Sequence, residues 1–254
     1  MKPRSLALAL GTALWGVALT GLAGPPAGDK PNVLFLMADD LRPELGCYGA
    51  GHVISPNIDR LAKRGRMFEQ AYCQQALCNP SRASMLTGLR PDSLGIWNLP
   101  THLRQRRPGI VTLPQHFRNN GYFTECVGKI FHNWRQDIHG DPQSWSVPQF
   151  MHYARHDDDK PRVEGKPPGN EIKLPRSTIR DVPDEAYFDG RIATRAIESL
   201  QRLKKNRKPF FLAVGFWKPH LPFNAPKRYW NLYDPAKVKL PESLAKPANG
   251  PDIA

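Results

Sequence analysis

The chain has few cysteines and, beyond its first residues, no long hydrophobic run. Its 254 residues contain four cysteines, too few for a small scaffold held together by disulfides. None belongs to a Cys-x-x-Cys pair or lies beside paired histidines, so a structural zinc site is not expected. One disulfide is compatible with the sequence, which does not assign a pairing. The cysteines are Cys47, Cys73, Cys78 and Cys126.

Acidic residues are also scarce. Asp and Glu number 23 against 36 Lys and Arg, which gives a net charge of +13. A basic protein suits an anionic partner. Zinc-finger spacing and RNA-recognition signatures are absent, so nucleic acid is not the predicted partner, whereas a sulfated or carboxylated polysaccharide matches the charge equally well. A solvated surface rich in Lys and Arg explains the charge without any partner.

Residues 1–23 predict a secretory signal peptide. Lys2 and Arg4 precede an apolar run from Leu6 to Leu22, which ends in small residues. A membrane anchor is the alternative, but about 17 residues rich in Gly, Ala and Thr are marginal for spanning a bilayer. We expect cleavage near Ala23 and export to a periplasmic, secreted or lysosome-like location, without stable membrane insertion. Loss of the two basic residues lowers the net charge to +11.

Strand-like and helix-like segments alternate along the remaining chain. Residues 31–40 form a continuous apolar run that ends in two aspartates, and they predict a fully buried parallel strand. Further strands are predicted within 66–73, 122–132 and 209–223. The alternation predicts an α/β fold with a mainly parallel central sheet flanked by helices.

Helices are predicted from their end residues. Segments 55–65, 79–88 and 112–121 each begin with Ser, Asn or Thr suited to an N-cap and end in glycine. The Asn79 cap places Cys78 at a helix N-terminus. Helical spacing from Asp184 to Lys205 predicts a longer helix. Its apolar face would consist of Phe188, Ile192, Ala196, Leu200 and Leu203.

Residues 133–183 lack such a pattern. They contain seven prolines and the run from Asp157 to Asp159. Long segments of this kind are commonly functional or mobile, so we expect an irregular insertion or lid. The three aspartates are interpreted as a solvated cluster in preference to a cation site. Residues 241–254 are expected to form an incomplete tail.

Several polar residues follow the predicted strands. In open α/β sheets such residues collect beyond the carboxyl ends of the strands, and the helix headed by Cys78 should point at the same edge. Two adjacent carboxylates suit calcium or magnesium, with an exposed Asp-Asp turn as the alternative. The candidates are Asp39, Asp40, Cys78, Lys129, His132 and His220.

Basic groups at this edge suit an anion. The N-terminus of the predicted helix, with Arg82 one turn after its start, favours binding of an anion. The same helix N-terminus is expected to lower the pKa of the Cys78 thiol. Lys129 adds a positive charge and His132 a titratable donor, both suited to a tetrahedral oxyanion. Ordinary surface positions are the alternative for these two residues.

Residues 78–82, Cys-Asn-Pro-Ser-Arg, resemble the Cys-x-Pro-Ser-Arg signature of the sulfatase family, in which the cysteine is oxidised to formylglycine. The resemblance covers nearly all of residues 31–240 and looks closest to the iduronate-2-sulfatase subgroup, in stretches such as ADDLRPELGCYG and VGKIFH. It implies an alkaline-phosphatase-like fold, incomplete at the C-terminus, and a hydrolase of glycosaminoglycan degradation. Trp217 departs from the subgroup, which carries histidine there, so the exact sugar is not implied.

The resemblance also implies roles for matching positions. A formylglycine-generating enzyme would convert Cys78, and one hydroxyl of the hydrated formylglycine would attack sulfur while the other expels sulfate by regenerating the aldehyde. The metal would polarise sulfate oxygens. Lys129 and His220 would stabilise charge or protonate the leaving alcohol, and the choice between them stays open. The implied site comprises Asp39, Asp40 and residue 78 as ligands of one Ca²⁺, Arg82 stabilising formylglycine, and Lys129, His132 and His220 at the sulfate.

The sequence thus predicts hydrolysis of a sulfate ester on a sulfated sugar, a 2-O-sulfated uronate or a relative. Sulfatases complete their metal site from a later strand, and no stretch before Ala254 matches, so the chain is expected to be the N-terminal part of a longer protein and inactive alone. A phosphoester or phosphonate hydrolase of the same fold is one alternative, although those enzymes commonly use Thr or Ser as nucleophile. A non-catalytic fragment that binds sulfated polysaccharide is the other.

Overall fold

The structure is a computed structural model that describes residues 30–133, 135–152, 177–206, 208–239 and 250. The predicted signal peptide, the three consecutive aspartates and nearly all of the predicted tail lie outside those residues. Contacts divide the chain into Met1–Lys30 and Pro31–Ala254, and every element named below belongs to the second unit. Within the described part of the chain, no helix has both the length and the apolar character to cross a membrane.

The described residues form five strands in two sheets. The central sheet is parallel, with strand order β1, β4, β2, and the smaller sheet pairs β3 with β5, also in parallel. Because all three central strands run in one direction, their carboxyl ends lie at a single edge of the sheet. This arrangement confirms the predicted parallel α/β organisation. The strands are β1 Val33–Ala38, β2 Phe123–Gly128, β3 Ser177–Arg180, β4 Phe210–Phe216 and β5 Phe223–Pro226.

Three strand predictions need correction. The strand predicted within 66–73 does not form, and its aromatic residues Phe68 and Tyr72 are 70% and 81% exposed. No strand lies alongside to pair with that segment in the described structure. Conversely, β3 lies in the stretch predicted to be irregular. The segment 209–223, predicted as one strand, contains β4, which ends at Phe216, and only the first residue of β5, Phe223, so the chain turns where the strand was expected to continue.

Strand β1 is parallel, as predicted, but it is not fully buried. Phe35 and Met37 pack against the core, whereas Leu34 and Leu36 on the other face are 46% and 53% exposed. The reason is its place at the edge of the described sheet, where only one face is covered.

Seven helices are described. The predicted caps Ser55 and Thr112 do precede helices, and the Thr112 side chain accepts a hydrogen bond from the Gln115 N–H. The helix predicted to follow Asn79 instead begins at Cys78, because the Asn79 side chain donates to the carbonyls of Asn98 and Thr101. The helices are α1 Pro56–Arg64, α2 Cys78–Thr87, α3 Pro91–Leu94, α4 Leu103–Arg106, α5 Leu113–Asn119, α6 Phe188–Lys205 and α7 Lys227–Trp230.

The core lies on both faces of the central sheet. Side chains alternate along β4, so Phe211 joins the cluster that contains Leu86 of α2, and Leu212 packs with Ile192 of α6. The predicted apolar face of α6 is confirmed, except that Leu200 is only partly buried. Packed side chains therefore cover both faces of the sheet at β2 and β4 and one face at β1.

Two glycines bring the ends of β2 and β4 together at that edge. Gly128 has a φ of +81°, a left-handed conformation that glycine adopts without strain. The Lys129 N–H donates to the Gly215 carbonyl at 2.9 Å, and a Cβ added to Gly215 would lie 1.9 Å from the Lys129 carbonyl oxygen. The absence of a side chain at Gly215 thus sets the position of Lys129.

Replacement of Gly215 with alanine is expected to lower the free energy of unfolding by about 1–3 kcal/mol, because the added methyl group must push two packed strands apart. Urea denaturation followed by circular dichroism measures the change. Gly109→Ala is the matched control, since a Cβ there meets nothing within 4 Å. Equal stability of the two variants would contradict the close packing at Gly215.

Candidate active site

The first residue of α2 lies between two carboxylates. The Cys78 Sγ atom is 3.9 Å from Asp39 Oδ1 and 4.0 Å from Asp40 Oδ1. His220, which follows β4, places its Nε2 atom 3.8 Å from Asp40 Oδ2. Ligand atoms of Asp39, Cys78 and His220 all lie within 4.8 Å of one another. The structure therefore brings together four of the residues that the sequence placed at this edge.

Asp39 is the charged centre of the group. Its side chain is buried and accepts hydrogen bonds from Arg82 Nη2 at 2.8 Å and from Lys129 Nζ. Burial alone would raise the pKa of this carboxyl, but the two neighbouring cations outweigh it and lower the pKa to about 2. Asp39 is therefore ionised at any physiological pH.

Arg82 connects α2 with the end of β2. Its guanidinium donates to the carbonyls of Lys129 and Ile130 at 2.9 and 2.8 Å, in addition to Asp39. These donors are directed at Asp39 and the backbone, not at Cys78. A single buried side chain thus positions both the carboxylate and the segment that carries Lys129.

The thiol of Cys78 is not activated. The expectation that the helix N-terminus lowers its pKa is wrong: burial raises the pKa, Asp39 and Asp40 raise it further, and Lys129 and Arg82 counter these effects only in part. The thiolate is the nucleophilic form of cysteine, and a raised pKa makes that form scarce at neutral pH. Cys78 is therefore poorly suited to act as a thiolate.

Asp40 and His220 form the more exposed side of the site. Asp40 has a φ of +56°, a left-handed conformation that Asp tolerates better than most residues, and its side chain is 53% exposed. The His220 Nδ1 atom lies 2.7 Å from the Leu221 carbonyl oxygen, which can only accept, so this nitrogen carries a proton. The Nε2 atom faces Asp40.

Lys129 and His132 are both buried, at 4% and 6% exposure, which rules out ordinary surface positions for them. The Lys129 ammonium lies 4.8 Å from the centre of the Trp217 ring, a cation–π distance. His132 lies three residues further along the same segment, and its participation in the site stays a prediction.

Sequence reasoning missed two residues that shape the site. Asn79 ties the start of α2 to the loop at 98–101. Asp189, the second residue of α6, accepts hydrogen bonds from the backbone N–H groups of Trp217 and Lys218. An acidic residue in the first turn of a helix is common, so it gave no signal of a contact with residues nearly thirty positions away.

The donor atoms fit a calcium ion in part. Calcium binds six to eight oxygen ligands, which the carboxylates of Asp39 and Asp40 suit. A cysteine sulfur is a ligand for softer metals. An oxygen-bearing group at position 78 would place a third oxygen ligand beside the two carboxylates.

Comparison with known proteins accords with this geometry. The family model described as Sulfatase matches residues 31–242. Iduronate 2-sulfatase of Mus musculus is 38% identical over 255 residues, covering 99% of this chain and 46% of that protein. The chain therefore spans about half the length of the curated relatives it matches.

Solved structures share the fold. A protein in complex with its substrate D-glucosamine-2-N,6-O-disulfate is 27% identical, with a TM-score of 0.54 over 75% of this chain and 35% of that one. The phosphonate monoester hydrolase of Agrobacterium radiobacter has a TM-score of 0.60 at 24% identity, over 83% and 45% of the two chains, and shows only that its fold is similar. The alkaline-phosphatase-like α/β fold implied by the sequence is thus confirmed. Because the family model covers most of its length, the chain belongs to the sulfatase family.

Proposed function

We propose that the chain supplies the nucleophile and two metal ligands of a calcium-dependent site that hydrolyses sulfate esters on a sulfated sugar. The observation that carries this proposal is the convergence of Cys78 with the Asp39 and Asp40 carboxylates at the end of β1. Similarity to iduronate 2-sulfatase supports a 2-O-sulfated uronate or a relative as substrate. We assign residues 31–240 to the catalytic domain and residues 1–23 to an export signal.

Cys78 is, in this proposal, a precursor of formylglycine. Its raised pKa disfavours a thiolate nucleophile, and its sulfur does not suit calcium. Conversion by a formylglycine-generating enzyme replaces the CH2–SH group with an aldehyde: the sulfur leaves as hydrogen sulfide, water supplies the oxygen, and two electrons and two protons pass to the oxidant that the converting enzyme uses. The hydrated aldehyde supplies two hydroxyl groups beside the two carboxylates.

The charges of the site favour an anionic substrate. Arg82 and Lys129 are two buried cations whose charges balance the carboxylates of Asp39 and Asp40, so a bound Ca²⁺ would give the strand ends an excess of positive charge. A sulfate ester is an anion and is attracted to that excess. Bound calcium would add its Lewis acidity by polarising sulfate oxygens.

Lys129 and His220 are the residues proposed for charge stabilisation and proton transfer. The Lys129 ammonium stabilises charge that develops on sulfate oxygens. His220 Nε2, partly exposed, is available to donate a proton to the leaving sugar hydroxyl. His132 is proposed as a further sulfate-site residue. Lys129 is the alternative general acid.

A direct assay tests this function. The full-length protein, co-expressed with a formylglycine-generating enzyme, is expected to release inorganic sulfate from a 2-O-sulfated uronate disaccharide. Chelation should abolish the activity, because the metal polarises the sulfate, and added Ca²⁺ should restore it. Faster hydrolysis of a phosphonate monoester would favour the phosphonate hydrolase alternative. Binding of sulfated polysaccharide without any hydrolysis would favour the non-catalytic alternative.

A further inference from the structure

Asp189 holds the segment that follows β4. Its two carboxylate oxygens accept hydrogen bonds from consecutive backbone N–H groups: Trp217 N lies 2.8 Å from Oδ1, and Lys218 N lies 3.0 Å from Oδ2. Hydrogen bonds to an ionised acceptor are stronger than neutral ones, and here a single side chain satisfies two donors. This contact fixes the start of the segment 217–220 against α6.

The same segment carries two groups of the candidate site. The Trp217 ring lies under the Lys129 ammonium and 6.0 Å from the Phe188 ring at the start of α6. The His220 N–H donates to the Trp217 carbonyl at 3.0 Å, which links the histidine to the residue that Asp189 holds. Movement of Trp217 would therefore shift both Lys129 and His220.

The position of Asp189 is itself fixed. Its neighbour Gly190 lies so close to the preceding turn that an added Cβ would be 1.9 Å from the Asp184 carbonyl oxygen. The N-terminal turn of α6 is thus packed directly on the backbone before it, and Asp189 projects from a rigid element.

We propose that Asp189 is a positioning residue that aligns Trp217 and His220 at the candidate site. It acts through the backbone of residues 217 and 218 and touches neither sulfate nor metal. Its effect on turnover rests on the proposed sulfatase function, whereas its effect on the Cys78 environment does not.

Substitutions at Asp189 separate its acceptor role from its bulk. Asp189→Asn keeps the shape, but one terminal oxygen becomes an amide nitrogen that donates, so one backbone N–H faces a donor. Asp189→Glu keeps both acceptors and is expected to restore part of the effect. Glu198→Gln on the same helix is the matched control, because Glu198 is an exposed carboxylate whose ion-pair partner among the described residues is Arg195.

The first readout is the alkylation rate of Cys78 by iodoacetamide in the unconverted protein, measured peptide by peptide with mass spectrometry. His220 lies against this thiol, so loosening it should raise the rate roughly 3- to 10-fold in Asp189→Asn through local opening. Exposed Cys73 should react as before, and buried Cys126 should stay protected. An unchanged Cys78 rate, or a parallel rise at Cys126 that signals general loosening, would overturn the inference.

The second readout is turnover of the converted full-length protein. Asp189→Asn is expected to lower kcat about 10- to 100-fold with KM nearly unchanged, while Glu198→Gln keeps both values. A change in KM alone would contradict a positioning role. If the parent protein hydrolyses no sulfate ester, the proposed function fails, and the alkylation rates still decide the role of Asp189.

Discussion

Replacement of Cys78 with alanine in the full-length protein is expected to lower kcat/KM for sulfate-ester hydrolysis by at least about a thousandfold, because the variant has no side chain to convert and hence no nucleophile. Sulfate release from a 2-O-sulfated uronate disaccharide, measured by ion chromatography, gives the value. Activity that survives the substitution would place the nucleophile elsewhere.

Two further variants make this experiment specific. Cys73→Ala removes an exposed cysteine outside the site and is expected to leave turnover unchanged. Cys78→Ser provides one hydroxyl group where the hydrated aldehyde provides two, so it is expected to attack sulfate without releasing it. Multiple turnovers by the serine variant would contradict the need for formylglycine.

Asp39→Asn is expected to lower the free energy of unfolding of the metal-free protein by about 3–5 kcal/mol, because it leaves Arg82 and Lys129 buried without their shared counter-charge. Urea denaturation in the presence of a chelator measures the loss. The same variant should also bind calcium more weakly, since one carboxylate ligand is gone.

Asp40→Asn is the matched control for that loss. Asp40 is the adjacent residue but is half-exposed, so its replacement should change stability by no more than about 0.5 kcal/mol. Calcium affinity should fall in both variants. Equal destabilisation by the two substitutions would contradict the central position of Asp39 among the buried charges.

Local signals were enough to predict four of the seven described helices, α1, α2, α5 and α6, and the three strands of the central sheet. Pro56 begins α1 and Gly88 ends α2, because the fixed φ of proline suits the first helical residue and glycine adopts the left-handed φ of +72° at the helix end without strain. The wrong predictions concern the pairing of strands that lie far apart in the sequence. Residues 66–73 have strand-forming side chains but no partner strand, and β3 pairs with a segment more than forty residues away. The exposed face of β1 depends on strand order, which its own residues do not determine.

The residues of the candidate site were predicted from the sequence about as well as the elements of the fold. The rule for parallel strand ends correctly brought Asp39, Cys78 and His220 together. The raised pKa of Cys78 was missed, because it arises from burial and from carboxylates that reach the thiol only in the folded chain. Asp189 was missed for the same reason, since its partners are backbone groups far along the sequence.

Mass spectrometry of the peptide that contains Cys78 tests the central claim most directly. The protein is co-expressed with a formylglycine-generating enzyme, purified, digested and analysed without reducing or alkylating reagents that would obscure an aldehyde. We predict a peptide mass in which the CH2–SH group of Cys78 has been replaced by an aldehyde, and the aldehyde should react with a hydrazide probe. An unmodified thiol at Cys78 under these conditions would contradict the assignment of this residue as a formylglycine precursor.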